Sequence, residues 1–170
     1  MSGVTKQEVS KRLQAPPLRV ESSWIDYNGH MNVAYYSLAF DQSLDVILDE
    51  EIGIGPAYVA ERNHGPYVVQ NHIHYLAELF DGEEFRVRLQ LLDADAKRIH
   101  VFLEMLRCRD GVLAATSEQL IVHVDLDRRK SAPFPEDRRI RIQALLEAHA
   151  GLPRPRQVGS ALAIRRAASR

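Results

Sequence analysis

The chain has 170 residues, of which 45% are hydrophobic and 26% are charged, and its formal net charge is −1. This composition is typical of one folded globular domain and excludes an intrinsically disordered chain. The balanced total hides an asymmetry, because residues 128–170 contain ten Arg and one Lys against three acidic residues, a net +8.

Residues 1–16 are predicted to form a flexible leader, since they are polar, mixed in charge and end at a Pro-Pro pair. They lack the apolar run of a signal peptide, and no segment reaches 18 uncharged apolar residues, so we expect no membrane span. The single cysteine, Cys108, cannot form an intramolecular disulfide. This suits a reducing compartment, and we expect a cytoplasmic protein.

A short strand over residues 18–22 and a polar loop over residues 24–32 precede the first helix of the prediction. From Val33 onward, apolar residues recur at spacings of three and four, which indicates an amphipathic helix with one buried stripe. The stripe consists of Val33, Tyr36, Phe40, Leu44 and Ile47. Asn32 is the predicted N-cap, and the helix is expected to end at the glycines 53 and 55.

Four strands follow in the prediction, over residues 67–75, 85–91, 99–107 and 112–126, because apolar and polar residues alternate there. Short turns such as Asp81-Gly82 and Asp110-Gly111 join them, which favours antiparallel neighbours. The fourth strand is unusually long, so we expect a β-bulge near residues 117–119. A further helix is predicted to begin at Phe134-Pro135 and to end near Gly151.

These elements predict an α+β fold, in which a five-stranded antiparallel sheet wraps around one long central helix, with a C-terminal helix and tail. The folded domain is placed at residues 17–150, followed by a basic tail over residues 151–170. Three roles are open for that basic third of the chain. It could be a solvated tail, bind anionic phosphates or contact the acidic body of a neighbouring subunit. We expect no nucleic-acid partner, because no aromatic residues interleave the basic ones.

The loop before the long helix carries the chemistry of the sequence, since Asp26, Asn28 and His30 crowd together there. A helix N-terminus has unpaired amides that can stabilise an oxyanion. A nearby carboxylate can attack a carbonyl or activate water. The same residues could instead form an ordinary Asp- and Asn-rich capping turn.

The segment Asp26-x-Asn28-x-His30-Met31-Asn32 resembles the D-x-N-x-H-V-N-N signature of hotdog-fold acyl-CoA thioesterases. The order of elements over residues 18–126 is similar to the hotdog domain of the 4-hydroxybenzoyl-CoA thioesterase group. Within that group, residues 75–79, 97–100 and 153–159 look most like betainyl-CoA thioesterases, which act in carnitine breakdown. The resemblance implies hydrolysis of a short acyl-CoA thioester, with betainyl-CoA as one candidate substrate.

The resemblance also implies a set of site residues. Asp26 would be the nucleophile or general base, Asn28 and His30 would orient water or the carboxylate, and the amide of Val33 would polarise the thioester carbonyl. The substrate-binding candidates are Trp24, Tyr27, Asn32, Tyr36 and Tyr67. Trp24 is predicted to be the main aromatic wall for a cationic acyl group, because an extended stretch would point it the same way as Asp26.

The resemblance further implies a homodimer or a dimer of dimers with the active site between subunits. The strand over residues 67–75 would be the pairing edge, because an exposed apolar edge strand otherwise invites aggregation. Coenzyme A enters as part of the substrate, and no other cofactor is expected. His72 and His74 share a strand face, but no third ligand at diagnostic spacing accompanies them, and we expect no metal site.

Two other functions remain open from the sequence. An acyl-CoA hydratase or dehydratase of the same fold would need a His/Glu or His/Asp pair that is differently placed. A non-catalytic acyl-ligand-binding domain would keep the fold without the chemistry.

Overall fold

The computed structural model describes residues 12–164 and residue 166. Predictions for residues 1–11, 165 and 167–170 lie outside this range. Two groups of elements follow one another along the chain. The first comprises β1 (Leu13–Gln14), β2 (Leu18–Arg19), α1 (Val33–Ile47) and α2 (Pro56–Arg62). The second comprises β3 (His64–Tyr75), β4 (Glu84–Ala94), β5 (Arg98–Arg107), β6 (Leu113–Asp125), β7 (Lys130–Ser131) and α3 (Glu136–His149).

The strands form one antiparallel sheet with the order β1-β4-β5-β6-β3, to which β2 adds on β4 and β7 adds on β6. The predicted α+β fold with a long helix is therefore confirmed. The predicted count of five strands is wrong, because the described chain has seven. The two additional strands, β1 and β7, have only two residues each, too short for a pattern of alternation to reveal. The strand predicted over residues 18–22 is present as β2, over Leu18–Arg19.

The prediction of a flexible leader up to residue 16 is wrong for its described part. Leu13 and Gln14 pair with Leu89 and Arg88 of β4, and the N–H of Ala15 donates to the carbonyl of Val87 at 3.0 Å. This segment therefore lies at the edge of the sheet, where pairing with β4 satisfies its backbone N–H and C=O groups. The domain thus begins before residue 17.

Helix α1 begins at Val33, as predicted, and packs its apolar stripe against the sheet. Phe40, Leu44 and Ile47 are buried in the core with residues of β4 and β5. Val33 departs from the predicted stripe, because it lies in the first turn and is 55% exposed. The buried stripe therefore begins one turn later, at Tyr36.

The helical path continues beyond α1 as a π-turn over Leu48–Ile52 and ends at Gly53, which adopts a left-handed φ of 78°. Helix α2 was not predicted. The N–H of Ala57, in the first turn of α2, donates a hydrogen bond to the carboxylate of Asp49 at 2.9 Å. A Cβ at Gly55 would lie 2.6 Å from the backbone nitrogen of Asp49, so this close approach requires glycine.

The bulge predicted at residues 117–119 lies elsewhere in the structure. One register shift falls at Val69 in β3 and another lies opposite Met105 and Leu106, where β6 has the extra residue Ala114. Because each shift adds one unpaired residue to one strand, apolar side chains can face the core both before and after the bulge. The long strand β6 itself is confirmed.

Helix α3 begins at Glu136 and is followed by the tail, as predicted. The ring of His149 accepts a hydrogen bond from the N–H of Leu91 at 2.9 Å, which fixes the end of α3 against β4. The tail then contacts β6, where the N–H of Gly159 donates to Glu118 at 2.8 Å. None of the helices in the described chain has the length and apolar character needed to cross a membrane.

Candidate active site

The loop before α1 closes on itself around the carboxylate of Asp26. One carboxylate oxygen accepts from the backbone N–H of Asn28 at 2.8 Å, and the other accepts from the side-chain amide of Asn32 at 3.1 Å. The backbone N–H of Asp26 donates to the carbonyl of His30 at 3.1 Å. Gly29 makes the turn possible, since it adopts a φ of 83°. The carboxylate is therefore held in one orientation by donors.

The first turn of α1 leaves one backbone donor open. The side-chain oxygen of Asn32 accepts from the N–H of Ala34, and its carbonyl accepts from the N–H of Tyr35, both at 3.0 Å. Asn32 is thus the N-cap, as predicted. Among the described residues, no protein acceptor faces the N–H of Val33. This amide is available to a developing oxyanion at the positive end of the helix.

A cavity of about 240 Å³ opens beside this helix end. It is lined by His30, Met31, Val33, Tyr36, Tyr75, Leu76, Ala77 and Glu78. The rings of Tyr36 and Tyr75 meet edge to face, with centroids 5.2 Å apart. An acyl group in this cavity would lie between the helix N-terminus and the end of β3.

The hydroxyl of Tyr36 is fully engaged with the connection that follows β3. It donates to the carbonyl of Ala77 at 3.3 Å and accepts from the N–H of Leu79 at 3.2 Å. Burial is the main cause of the raised pKa of Tyr36, and the charge of Glu78 adds to it. Tyr36 is therefore a neutral phenol whose hydroxyl is taken up by the protein and whose buried side chain adjoins the cavity.

Asn28 and His30 do not orient the carboxylate through their side chains. Asn28 acts through its backbone N–H, and its side chain is exposed. The Nδ1 of His30 lies 3.1 Å from the carbonyl of Met31, and its Nε2 lies 3.9 Å from the carboxylate of Glu78. The residue that holds Asp26 from its side chain is Asn32.

Three of the predicted substrate-binding aromatics lie outside the cavity. Trp24 stacks on Tyr35 with centroids 5.4 Å apart and lines a different cavity beside β2. Tyr27 is 96% exposed. Tyr67 lies at the start of β3, eight residues and about 26 Å along the strand from Tyr75. Within one subunit, only Tyr36 and Asn32 of that predicted set adjoin the site.

The prediction for Trp24 assumed an extended stretch from residue 24 to residue 26, and the local structure differs. Residues Ser22–Trp24 form a turn of 3₁₀ helix, in which the N–H of Trp24 donates to the carbonyl of Glu21. Trp24 and Asp26 therefore do not share the face that alternation predicted. Trp24 does not line the cavity at the N-terminus of α1, so its predicted role as the aromatic wall has no support from that cavity.

Five lining residues were not among the predicted site residues, namely Met31, Tyr75, Leu76, Ala77 and Glu78. Tyr75 could have been found as the last residue of the strand that alternation predicted. Glu78 lies in the irregular connection between β3 and β4, where no periodicity marks it, and its only signal was the resemblance of residues 75–79. In the described chain, no group of three or more His, Cys, Asp or Glu residues could hold a metal ion. The rings of His72 and His74 lie 4.5 Å apart on β3, away from this cavity.

Comparison with known proteins gives a consistent set of relatives. The model of the Thioesterase-like superfamily matches residues 20–147. The betainyl-CoA thioesterase of Pseudomonas aeruginosa is 36% identical over 141 residues, which cover 83% of this chain and 88% of that protein. The L-carnitine dehydrogenase/betainyl-CoA thioesterase of Rhizobium meliloti is 37% identical over 152 residues, covering 89% of this chain but only 30% of that protein.

A Staphylococcus aureus protein solved in complex with CoA has a similar structure. The TM-score is 0.83 at 28% identity, and the match covers 97% of this chain and all of the other. Together with the family model, this match confirms the predicted hotdog fold.

Proposed function

Because the chain belongs to the Thioesterase-like superfamily, we propose that it hydrolyses a short acyl-CoA thioester to a free acid and CoA. The observation that carries this function is the pairing of the Asp26 carboxylate, held by two donors, with the open N–H of Val33 at the start of α1. The first group supplies the nucleophile or base, and the second supplies the oxyanion donor.

The proposed reaction follows from these positions. The thioester carbonyl oxygen accepts from the N–H of Val33, so that charge developing on it is stabilised at the helix N-terminus. In one route Asp26 deprotonates a water that attacks the carbonyl carbon, and the carbon–sulfur bond then breaks to release the acid. In the other the carboxylate attacks the carbon, the carbon–sulfur bond breaks to leave an anhydride on Asp26, and water hydrolyses the anhydride. In both routes CoA leaves as the thiolate and takes up a proton. Water is the only other reactant, so no cofactor is required.

We propose betainyl-CoA as the substrate, on the support of relatives whose names include that activity. The betainyl group is short and carries a quaternary ammonium two bonds from the thioester carbonyl carbon. The cavity of about 240 Å³ suits an acyl group of this size. Its aromatic and acidic lining suits the charge.

The experiment that tests this function is thiol release from a small panel of acyl-CoA esters, with betainyl-CoA, acetyl-CoA and 4-hydroxybenzoyl-CoA as members. We expect stoichiometric release of free thiol from betainyl-CoA and slower release from the others. The absence of thiol release from every member would contradict the proposed function.

One observation favours a second candidate, an acyl-CoA hydratase of the same fold. His30 and Glu78 face each other at 3.9 Å in the cavity, which is the type of pair that such an enzyme uses. That function predicts hydration of an unsaturated acyl-CoA without thiol release. The two activities are therefore separated by one assay with crotonyl-CoA, read by absorbance and by free thiol.

We also propose that the protein is a homodimer paired through β3. Within the described chain, β3 has a neighbour on one side only, the strand β6. Tyr67, Val68 and Val69 of this 12-residue strand are exposed apolar side chains. An edge of this kind is stabilised by pairing with a second copy. Antiparallel pairing would bring the Tyr67 end of one subunit towards the cavity of its partner.

The double role of Asn32 gives a prediction that separates folding from catalysis. Asn32→Ala removes both the N-cap acceptor and the donor to Asp26, so we expect a loss of about 1 kcal/mol in unfolding free energy and a fall in kcat of roughly tenfold. Asn32→Ser keeps a capping oxygen but has no amide for Asp26. We expect this variant to regain the Tm while kcat stays low, and equal recovery of both would contradict the role in orienting Asp26.

A further inference from the structure

The cavity beside α1 has two aromatic walls and one carboxylate at its mouth. We propose that Tyr36, Tyr75 and Glu78 form a subsite that selects a quaternary ammonium in the acyl group. This inference rests on the proposed thioesterase function of the same cavity. It replaces the role that sequence reasoning assigned to Trp24, which lines a different cavity.

The spacing along α1 places this subsite next to the reacting carbonyl. Val33 and Tyr36 are three residues apart and lie on the same side of the helix, with a rise of about 4.5 Å between them. Because both residues line the cavity, an acyl group whose carbonyl oxygen accepts from the N–H of Val33 would lie in the cavity that Tyr36 adjoins.

The two tyrosine rings offer what a quaternary ammonium needs. Such a cation has no N–H donor, so it is held by aromatic faces and by negative charge. The hydroxyl of Tyr36 is engaged by Ala77 and Leu79, and the ring of Tyr75 stands at 85° to that of Tyr36. The fold therefore fixes the orientation of the Tyr36 ring before substrate binds, and the more exposed ring of Tyr75 forms a corner with it.

Charge in the lining of the cavity has the sign that the proposal requires. Glu78 is the one acidic residue in its lining, and no Lys or Arg of the described chain lines it. Outside the lining, the guanidinium of Arg107 donates to the backbone carbonyl of Glu78 at 3.3 Å. The carboxylate of Glu78 is 62% exposed, so it attracts a cation at the mouth and is partly screened by solvent. The corner and the carboxylate together favour a charged acyl group over a neutral one of the same shape.

The test compares betainyl-CoA with 3,3-dimethylbutanoyl-CoA, in which a neutral tert-butyl group replaces the trimethylammonium group. The quantity measured is the ratio of kcat/KM for the charged substrate to that for the neutral one. For the wild type we expect a ratio of about 10 or more, which is the range that two aromatic contacts give. A wild-type ratio near one would overturn the inference while leaving the thioesterase function in place.

Substitutions then test which residues set this ratio of kcat/KM values. In Tyr75→Leu and in Glu78→Gln we expect the ratio to fall by about 3- to 30-fold. Tyr75→Phe keeps the ring and is expected to keep the ratio. The control is Glu51→Gln, which removes an exposed carboxylate in the π-turn that follows α1, at the opposite end of that helix from the cavity. We expect this variant to leave the ratio unchanged.

The outcomes separate the two levels of the proposal. Failure of the wild type to release thiol from either substrate would contradict the proposed function. Hydrolysis of both substrates with an unchanged ratio in Tyr75→Leu and Glu78→Gln would contradict only the subsite. A ratio that falls equally in Tyr75→Phe and Tyr75→Leu would show that the hydroxyl, and not the ring, sets the selectivity.

Discussion

Replacing Asp26 with Asn is expected to lower kcat for thioester hydrolysis by at least about 100-fold. Asn is nearly isosteric with Asp, but its amide can neither accept the proton of a water nor attack the carbonyl. The turn should keep its shape, because the side-chain oxygen of Asn can still accept from the N–H of Asn28, while the hydrogen bond from the amide of Asn32 is lost. The loss should therefore fall on kcat, measured by thiol release under saturating substrate, while the Tm changes little.

The matched control for this substitution is Asp41→Asn. Asp41 lies on the exposed face of α1, away from the lining of the cavity, and undergoes the same chemical change. We expect its kcat to stay within about twofold of the wild type, as for surface substitutions in general. Full activity in a folded Asp26→Asn protein would exclude Asp26 as nucleophile or base.

The second large effect is expected from a charge on the free edge of β3. Val69 is 57% exposed and lies at the bulge of this strand. In a two-fold pairing of β3 strands, Val69→Lys introduces a lysine from each subunit at the interface, and lysine on an edge strand opposes pairing. We expect the wild type to sediment as a dimer at micromolar concentration and Val69→Lys to sediment as a monomer. If the site lies between subunits, loss of the dimer should also lower the rate of thiol release by at least about tenfold.

Val112→Lys is the control for this prediction. Val112 is also an exposed valine, but it lies in the turn between β5 and β6. We expect this variant to remain a dimer with wild-type activity, and both variants to retain a cooperative unfolding transition. An interface of this kind should bury more than about 1,000 Å². A wild-type monomer at micromolar concentration, or a fully active Val69→Lys monomer, would remove the between-subunit site.

Local patterns were enough to predict the scaffold of the site. The start of α1 follows from Asn32 as a cap and from the apolar spacing after Val33, both of which depend on neighbours within a few residues. The loop carrying Asp26 is recognisable for the same reason, since its turn and its cap are local. The three long strands after β3 follow from alternation between short turns.

Local patterns failed where a contact joins distant parts of the chain. The segment after β3 folds back on α1, where the carbonyl of Leu79 accepts from the N–H of Met31 and its N–H donates to the hydroxyl of Tyr36. No periodicity marks this connection, so the position of Glu78 beside His30 could not be predicted. The pairing of β1 with β4 was missed because two residues are too few to show alternation.

The sequence by itself therefore determined the α+β fold, the helix that carries the site and the carboxylate beside its N-terminus. Each of these is set by residues close together in the chain. Only the tertiary structure decided which aromatics line the cavity at that helix end. A turn of 3₁₀ helix directs Trp24 onto Tyr35, while packing of the end of β3 against α1 brings Tyr75 to Tyr36. The direction of a side chain in an irregular segment depends on hydrogen bonds and packing with remote residues, and a linear pattern does not record them.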